Sequence, residues 1–245
     1  MSLYGKFIEE VLEKEYNLIK LFKSDDMSDI RLFRHNETQN NLVRIHSKNR
    51  NDHVYRNLRG MRHSNLPVIY DACSCEEHLC VLESYVEGVP LSELMNKSTI
   101  TPENTINYVM DVCTALAFLH KNKIIHRDVK PANIIITPDN RAVLIDLSAA
   151  RSLSDEQSKD TVNLGTVGYA APEQFGVTQS LPPTDIYAVG VLLNQLMLGE
   201  HPSVKTPSGK AGRIIRKCTD TQISKRYQTI SALMSDLKSF KRLYV

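Results

Sequence analysis

Near the start of the chain, apolar residues recur at helical spacing. Phe7, Val11, Leu12, Leu18 and Leu21 predict a helix over residues 4–22. Lys23-Ser24-Asp25-Asp26 is a turn signal that ends it. The period then changes to two: Asp29–Phe33 and Leu42–His46 alternate as strands do, with the polar turn His35-Asn36-Glu37-Thr38 between them. Residues 51–62 read as a basic helix, and Leu66–Ala72 and His78–Leu82 as two more strands. After Glu87-Gly88 the helical period dominates. Thr101-Pro102-Glu103 is a capped helix start, continued on one face by Ile106, Val109, Met110, Cys113 and Ala117. Short strands at Ile134–Ile136 and Ala142–Ile145 flank the turn Pro138-Asp139-Asn140, and further helices are predicted near 185–198, 211–219 and 228–240. The pattern predicts an α+β chain: a small β-rich lobe over about residues 1–84, a joint near 84–88, and a larger helical lobe over about 89–245. Residues 1–245 are read as one domain of two lobes.

Composition narrows the function classes. The chain has 245 residues, 42% hydrophobic and 24% charged, which is globular, and its net charge of +2 asks for no polyanionic partner. Lys and Arg are scattered, so nucleic-acid binding is not expected. No apolar run is long enough to span a membrane; the most apolar segment, Ile186–Leu198, carries Asn194 and Gln195 and reads as a buried helix. The five cysteines (Cys73, Cys75, Cys80, Cys113, Cys218) are odd in number and lie mostly in apolar contexts, which predicts thiols in a reducing, cytoplasmic setting. Cys73 and Cys75 form a C-x-C with no second pair at metal-ligand spacing, and a strand-edge turn is the expected reading.

Four features stand in a fixed order in the helical half: His126-Arg127-Asp128-Val129-Lys130-Pro131-Ala132-Asn133; Leu144-Ile145-Asp146-Leu147-Ser148; Gly165-Thr166-Val167-Gly168-Tyr169-Ala170-Ala171-Pro172-Glu173; and Asp185 opening an apolar helix, with Arg226 far downstream. Each alone reads as a loop carboxylate, a cap or a surface charge. Together, in this order, the sequence resembles the eukaryotic-like Ser/Thr protein kinases, and its GTxGYAAPEQFG wording is that of bacterial members. The resemblance runs from about residue 18 to 240 and implies the two-lobed α+β protein-kinase fold.

It also implies roles. Phosphoryl transfer leaves the protein mainly positioning and charge neutralisation. Asp128 matches the carboxylate that orients the attacking hydroxyl, and Lys130 the cation facing the transferring group. Asn133 and Asp146 match the ligands of Mg²⁺ or Mn²⁺ on ATP. Thr166 matches the hydroxyl that bonds near the Asp–Lys pair and helps form the substrate platform. His126, Glu173, Asp185 and Arg226 are structural in the family, with Glu173 and Arg226 an ion pair. Arg127 matches kinases whose activation segment is ordered by phosphorylation; Ser152, Ser154, Ser158 and Thr161 lie in that segment, with Thr161 the first choice. The implied partner is a protein substrate or a regulated protein.

The small lobe departs from the pattern. No glycine lies between Gly5 and Gly60, so the phosphate loop is replaced by Lys23–Asp29 with three aspartates. Leu42, Arg44 and His46 of strand 41–46 share one face. The preferred register places Arg44 at the family's Lys position and Leu42 over the adenine, and a shift of two residues places His46 there. Either register lacks the Lys, and Arg for Lys is not a conservative exchange. No Glu occurs between Glu37 and Glu76; Val54 stands where the helix Glu is expected. Leu147-Ser148 replaces Phe-Gly after Asp146. Two functions are therefore expected: a Ser/Thr protein kinase of reduced rate, or a pseudokinase that regulates a partner.

Overall fold

The computed structural model describes residues 3–48, 51–75, 78–97, 99–153, 166–175 and 179–241. The chain divides into two compact units, one of Met1–His63 with Pro67–Val86 and one of Ser64–Leu66 with Glu87–Val245.

The first unit is a five-stranded antiparallel sheet with two helices. Helix α1 (Leu3–Glu15) runs into strand β1 (Tyr16–Ser24), followed by β2 (Ser28–His35), β3 (Asn41–Ser47), helix α2 (Asp52–Leu58), β4 (Ile69–Cys75) and β5 (His78–Ser84). The sheet order is β1-β2-β3-β5-β4. The expected helix over 4–22 is thus cut at Glu15. Leu18 and Leu21 continue the helical stripe in sequence, but pairing of Tyr16–Ser24 with β2 takes them into an edge strand, where both are exposed. The basic helix is likewise shorter than 51–62, ending at Leu58, and β4 starts at Ile69 rather than Leu66.

The turn after β1 is built by Asp25. Its carboxylate accepts the backbone N–H groups of Met27 (2.9 Å) and Ser28 (2.8 Å) and faces Lys23 at 3.1 Å. The Lys23 hydrogen bond and the two N–H groups hold Asp25 down to a pKa of about 2.

One face of the sheet is covered by α1. Ile8 and Leu12 pack on Phe33, Leu42, Cys73 and Cys80, with Tyr16 and Leu82 at the margin. Strand alternation puts Val43, Ile45, Leu79 and Val81 on the opposite face. Helix α2 lies beside that face: Ser74, which alternates with Cys73, donates to Asp52 at the start of α2 (2.8 Å).

The second unit is mainly helical. It contains β6 (Val89–Pro90), α3 (Leu91–Lys97), α4 (Pro102–Lys121), β7 (Ile124–Ile125), β8 (Ile134–Ile136), β9 (Ala142–Leu144), β10 (Arg151–Ser152), α5 (Pro182–Leu198), α6 (Gly209–Cys218) and α7 (Ile230–Lys241). The α3 helix and the short strands β6, β7 and β10 carry no periodic signal and are not anticipated by the sequence pattern. Thr101 caps α4 by accepting the N–H of Asn104 (3.2 Å), with Pro102 at the first helical position. Helices α4, α5, α6 and α7 share a core in which Val112, Leu116, Ile186, Leu192, Ile215 and Leu237 are fully buried. Gly190 lets α5 meet α6 closely: a Cβ there would stand 2.4 Å from Cys218 Cβ. Gly88 opens β6 at φ +153°, where a Cβ would lie 2.3 Å from the Ile136 carbonyl oxygen. Ser64–Leu66 belongs to this unit because Asn65 donates to Ala142 O (2.8 Å) and accepts from Leu144 N–H (2.9 Å).

Candidate active site

The loop between β7 and β8 and the segment before α5 supply the site, all within the second unit. Its centre is a closed triangle. Thr166 Oγ1 donates to Asp128 Oδ1 (2.7 Å), Lys130 Nζ lies 2.7 Å from Asp128 Oδ2, and the same Nζ donates to Thr166 Oγ1 (2.7 Å). Asn133 spends its amide on the same aspartate: Nδ2 donates to the Asp128 backbone oxygen and to Oδ2, both at 2.9 Å. Burial works against the Asp128 carboxylate. The Lys130 and Thr166 hydrogen bonds, the Lys130 charge and the Asn133 amide outweigh it, so the group sits below its ordinary pKa. It is ionised at neutral pH with its acceptor sites aimed by three neighbours.

The loop is held from beneath by Asp185, only 1% exposed at the start of α5. Its carboxylate accepts the N–H groups of His126 (3.0 Å) and Arg127 (2.8 Å) and meets His120 Nε2 at 2.7 Å. Full burial raises its pKa, but the His120 hydrogen bond and charge and the Arg127 N–H outweigh that and keep the group below the usual range. This explains how Arg127 holds φ +70°, a conformation L residues rarely adopt. His126 adds a second brace. Nδ1 accepts the Asp128 N–H (3.3 Å) and Nε2 faces the Ile145 carbonyl (3.3 Å), which together require the neutral tautomer with hydrogen on Nε2.

Asp146 follows β9 with φ +65° and accepts the Ser148 N–H on Oδ1 (3.0 Å). Ile145 N–H bonds to Asn133 O (2.9 Å), which ties Asn133 to the residue before Asp146 through the backbone. Leu147 is buried, as an apolar packing group there should be. Among the described residues, no hydrogen bond uses Asn133 Oδ1 or Asp146 Oδ2. These are hard oxygen donors of the kind Mg²⁺ takes, so the residues fit the divalent cation the motif implies.

The segment after Thr166 is anchored by a buried ion pair. Arg226 reaches Glu173 with Nη1 (2.7 Å) and Nη2 (2.8 Å), and also donates to Pro183 O and Asp220 O. Thr184 Oγ1 donates to Glu173 (2.9 Å), and the Arg226 guanidinium lies 4.9 Å from the Tyr187 ring centre. Burial raises the Glu173 pKa, but the Arg226 hydrogen bond leads a set of contacts that leaves it below its ordinary value. Gln174 was not singled out by the motif. Its Oε1 accepts the Ala171 N–H (3.0 Å) and its Nε2 donates to the Arg127 carbonyl (2.9 Å), joining the segment after Thr166 to the loop that carries Asp128. Its neighbours in sequence give no hint of a partner 47 residues away.

Leu42 and Arg44 lie in the first unit. Both side chains are on the face covered by α1, and both are buried. Arg44 donates from Nη1 to both oxygens of Glu9 (2.8 and 2.5 Å) and from Nη2 to Asp29 (2.8 Å). The missing helix Glu thus has a counterpart of sorts in Glu9, contributed by α1 rather than by the helix after β3. Thr161, Ser154 and Ser158 fall outside the described residues, whereas Ser152 is buried in β10.

This geometry and these motifs define a protein kinase, and residues 34–242 match the protein kinase domain family, so the chain belongs to that family. Its relatives place it with the bacterial-type Ser/Thr kinases. It is 33% identical to the serine/threonine-protein kinase PknB of Mycobacterium tuberculosis over 154 residues, covering 60% of this chain and 25% of PknB. It is 28% identical to the serine/threonine-protein kinase PrkC of Bacillus subtilis over 229 residues, 81% of this chain and 35% of PrkC. A mouse relative, serine/threonine-protein kinase PAK 4, is 30% identical over 159 residues, 65% of this chain and 27% of PAK 4. The matched regions therefore span about a quarter to a third of these relatives.

Proposed function

We propose that the chain transfers the γ-phosphoryl group of ATP to a serine or threonine hydroxyl of a protein substrate. The observation that carries this is the closed Asp128–Lys130–Thr166 triangle. In it, Asp128 receives the hydroxyl proton and aims the oxygen. Lys130 offsets charge on the transferring group, and Thr166 fixes the distance between the two while opening the substrate platform. A divalent cation, when bound, neutralises phosphate charge; Asn133 Oδ1 and Asp146 would hold it. The four described cysteines are buried thiols, which supports a reducing compartment, and no helix among the described residues is long and apolar enough to cross a membrane.

A second reading, a kinase fold that regulates a partner with little or no turnover, is favoured by the first unit. The N–H groups of the β1–β2 turn are taken by Asp25, and Arg44 is committed to Glu9 and Asp29. Both groups are the ones expected to meet phosphates.

Radiolabelled ATP with Mg²⁺ or Mn²⁺ and a generic protein acceptor separates the two. Loss of Asp128 should cost about 10²–10⁴ in rate, the usual weight of a positioned acid–base group. Labelling that falls by that factor in Asp128→Asn supports transfer. Equal labelling of both proteins, or none in either, supports the regulatory reading.

A further inference from the structure

Beneath α1, three side chains from separate elements converge. Glu9 on α1, His46 on β3 and Cys80 on β5 place one ligand atom each within 4.8 Å of the others. Cys73 on β4 is directly opposite Cys80 in the strand pairing and in hydrogen-bond contact with it. Cys73 and Cys80 are both buried and neither is in a disulfide; Glu9 and His46 are half-buried. A thiol, an imidazole and a carboxylate converge, with a second thiol beside the first, and all are donor types that zinc binds.

We propose that Glu9, His46, Cys73 and Cys80 form a structural zinc site that fastens α1 to the sheet. The edge of a zinc tetrahedron with nitrogen and sulfur donors is about 3.3–3.8 Å, so Glu9, His46 and Cys80 close around an ion by side-chain shifts of about 1 Å. Cys73, which stands outside that group of three, completes the set by turning its thiol from Cys80 toward the ion. On ligation each thiol gives its proton to solvent and each sulfur donates a lone pair to the metal, with no change of oxidation state. Charge balances within the cluster. The ion meets two thiolates and the Glu9 carboxylate, and the surplus negative charge is met by Arg44, which already holds both Glu9 oxygens. Arg44 thereby becomes the outer partner that orients a ligating carboxylate. The donors also separate this site from the one at Asn133 and Asp146, where only oxygens are offered and Mg²⁺ is the fitting ion.

The arrangement also accounts for residues the phosphotransfer chemistry does not use. His46 and Glu9 already face each other at 3.2 Å, and the cross-strand cysteine pair sits in the apolar cluster of Ile8, Leu12, Phe33 and Leu42. The site links α1, β3, β4 and β5, so a single ion would tie the N-terminal helix to three of the five strands.

The test uses the 245-residue chain purified under reductant with excess Mg²⁺ and without added chelator. About one zinc per chain is expected by elemental analysis after gel filtration. His46→Gln and Cys80→Ser should lose it, whereas Cys113→Ala, altered at a buried thiol in α4, should retain it. Because Cys80→Ser risks misfolding, a second measurement uses unaltered protein. CoCl₂ added to the metal-stripped chain should give the absorption of tetrahedral cobalt with thiolate ligands, displaced by zinc. A folded chain with neither zinc nor the cobalt–thiolate spectrum overturns the proposal. So does zinc that persists unchanged in His46→Gln. Phosphotransfer by the same preparations is scored separately, so loss of one reading leaves the other standing.

Discussion

Arg226→Met removes the cation from the Glu173 pair while keeping an unbranched stem of similar length. Arg226 is 2% exposed and Glu173 7%, so the variant strands a buried carboxylate rather than releasing it to water. Removing one partner of such a pair costs about 3–5 kcal/mol. Carbonyls of Pro183 and Asp220 lose a donor in the same change. In a protein of this size each kcal/mol lowers Tm by about 2–4 °C, so a fall of about 6–20 °C is expected. The sign with pH follows from the carboxylate. Glu173 sits below its ordinary 4.5 when folded, so it stabilises the native state fully above that pH and loses this as pH falls through the lower folded value. In Arg226→Met, burial without the cation raises the same pKa, so protonation relieves the variant. Urea denaturation followed by circular dichroism at pH 7 and pH 5 should therefore show the gap between the two proteins narrowing on acidification. Adding Glu173→Gln to Arg226→Met should recover part of the loss, because the second change removes the stranded charge. A loss below about 1 kcal/mol, or a gap that does not change with pH, refutes the reasoning.

Two further outcomes follow from the same packing. Thr166→Val keeps the shape of the residue but deletes both hydrogen bonds that join Asp128 to Lys130; kcat should fall by about 10²–10³ with KM for ATP little changed, while Thr166→Ser stays near wild type in steady-state assays. Gly190→Ala places a methyl against Cys218 Cβ, where α5 and α6 have no room; overpacking of about 1–3 kcal/mol should outweigh the better helix propensity of Ala and lower Tm in a thermal melt.

The second unit is legible in the sequence because the family motif fixes residue types at fixed spacing. Asp128, Lys130, Asn133 and Thr166 meet within hydrogen-bond distance, and Asp185, Glu173 and Arg226 take buried bracing positions. The first unit is less legible, and the reasons are local. Residues 16–22 carry Leu18 and Leu21 three apart, which extends the helical stripe of α1, and only pairing with β2 decides for a strand. Period-two alternation correctly puts Leu42, Arg44 and His46 on one face, but cannot say which helix covers it. The partner of Arg44 is 35 residues upstream, and that of Gln174 is 47 upstream; contacts at such separations leave no local signal.

The role of α1 bears on how the molecule can be cut. The family match begins at residue 34, inside β2. A chain shortened to that boundary would lack α1, β1 and most of β2. It would uncover Phe33's neighbours Leu42, Cys73 and Cys80 and leave the Arg44 guanidinium buried in a strand with neither Glu9 nor Asp29 to meet it. The stretch matched by the family is therefore smaller than the stretch that packs as one unit around Arg44. Cutting the chain by the family match alone would remove the partners of its buried guanidinium, and a fragment that keeps them should begin before Ile8.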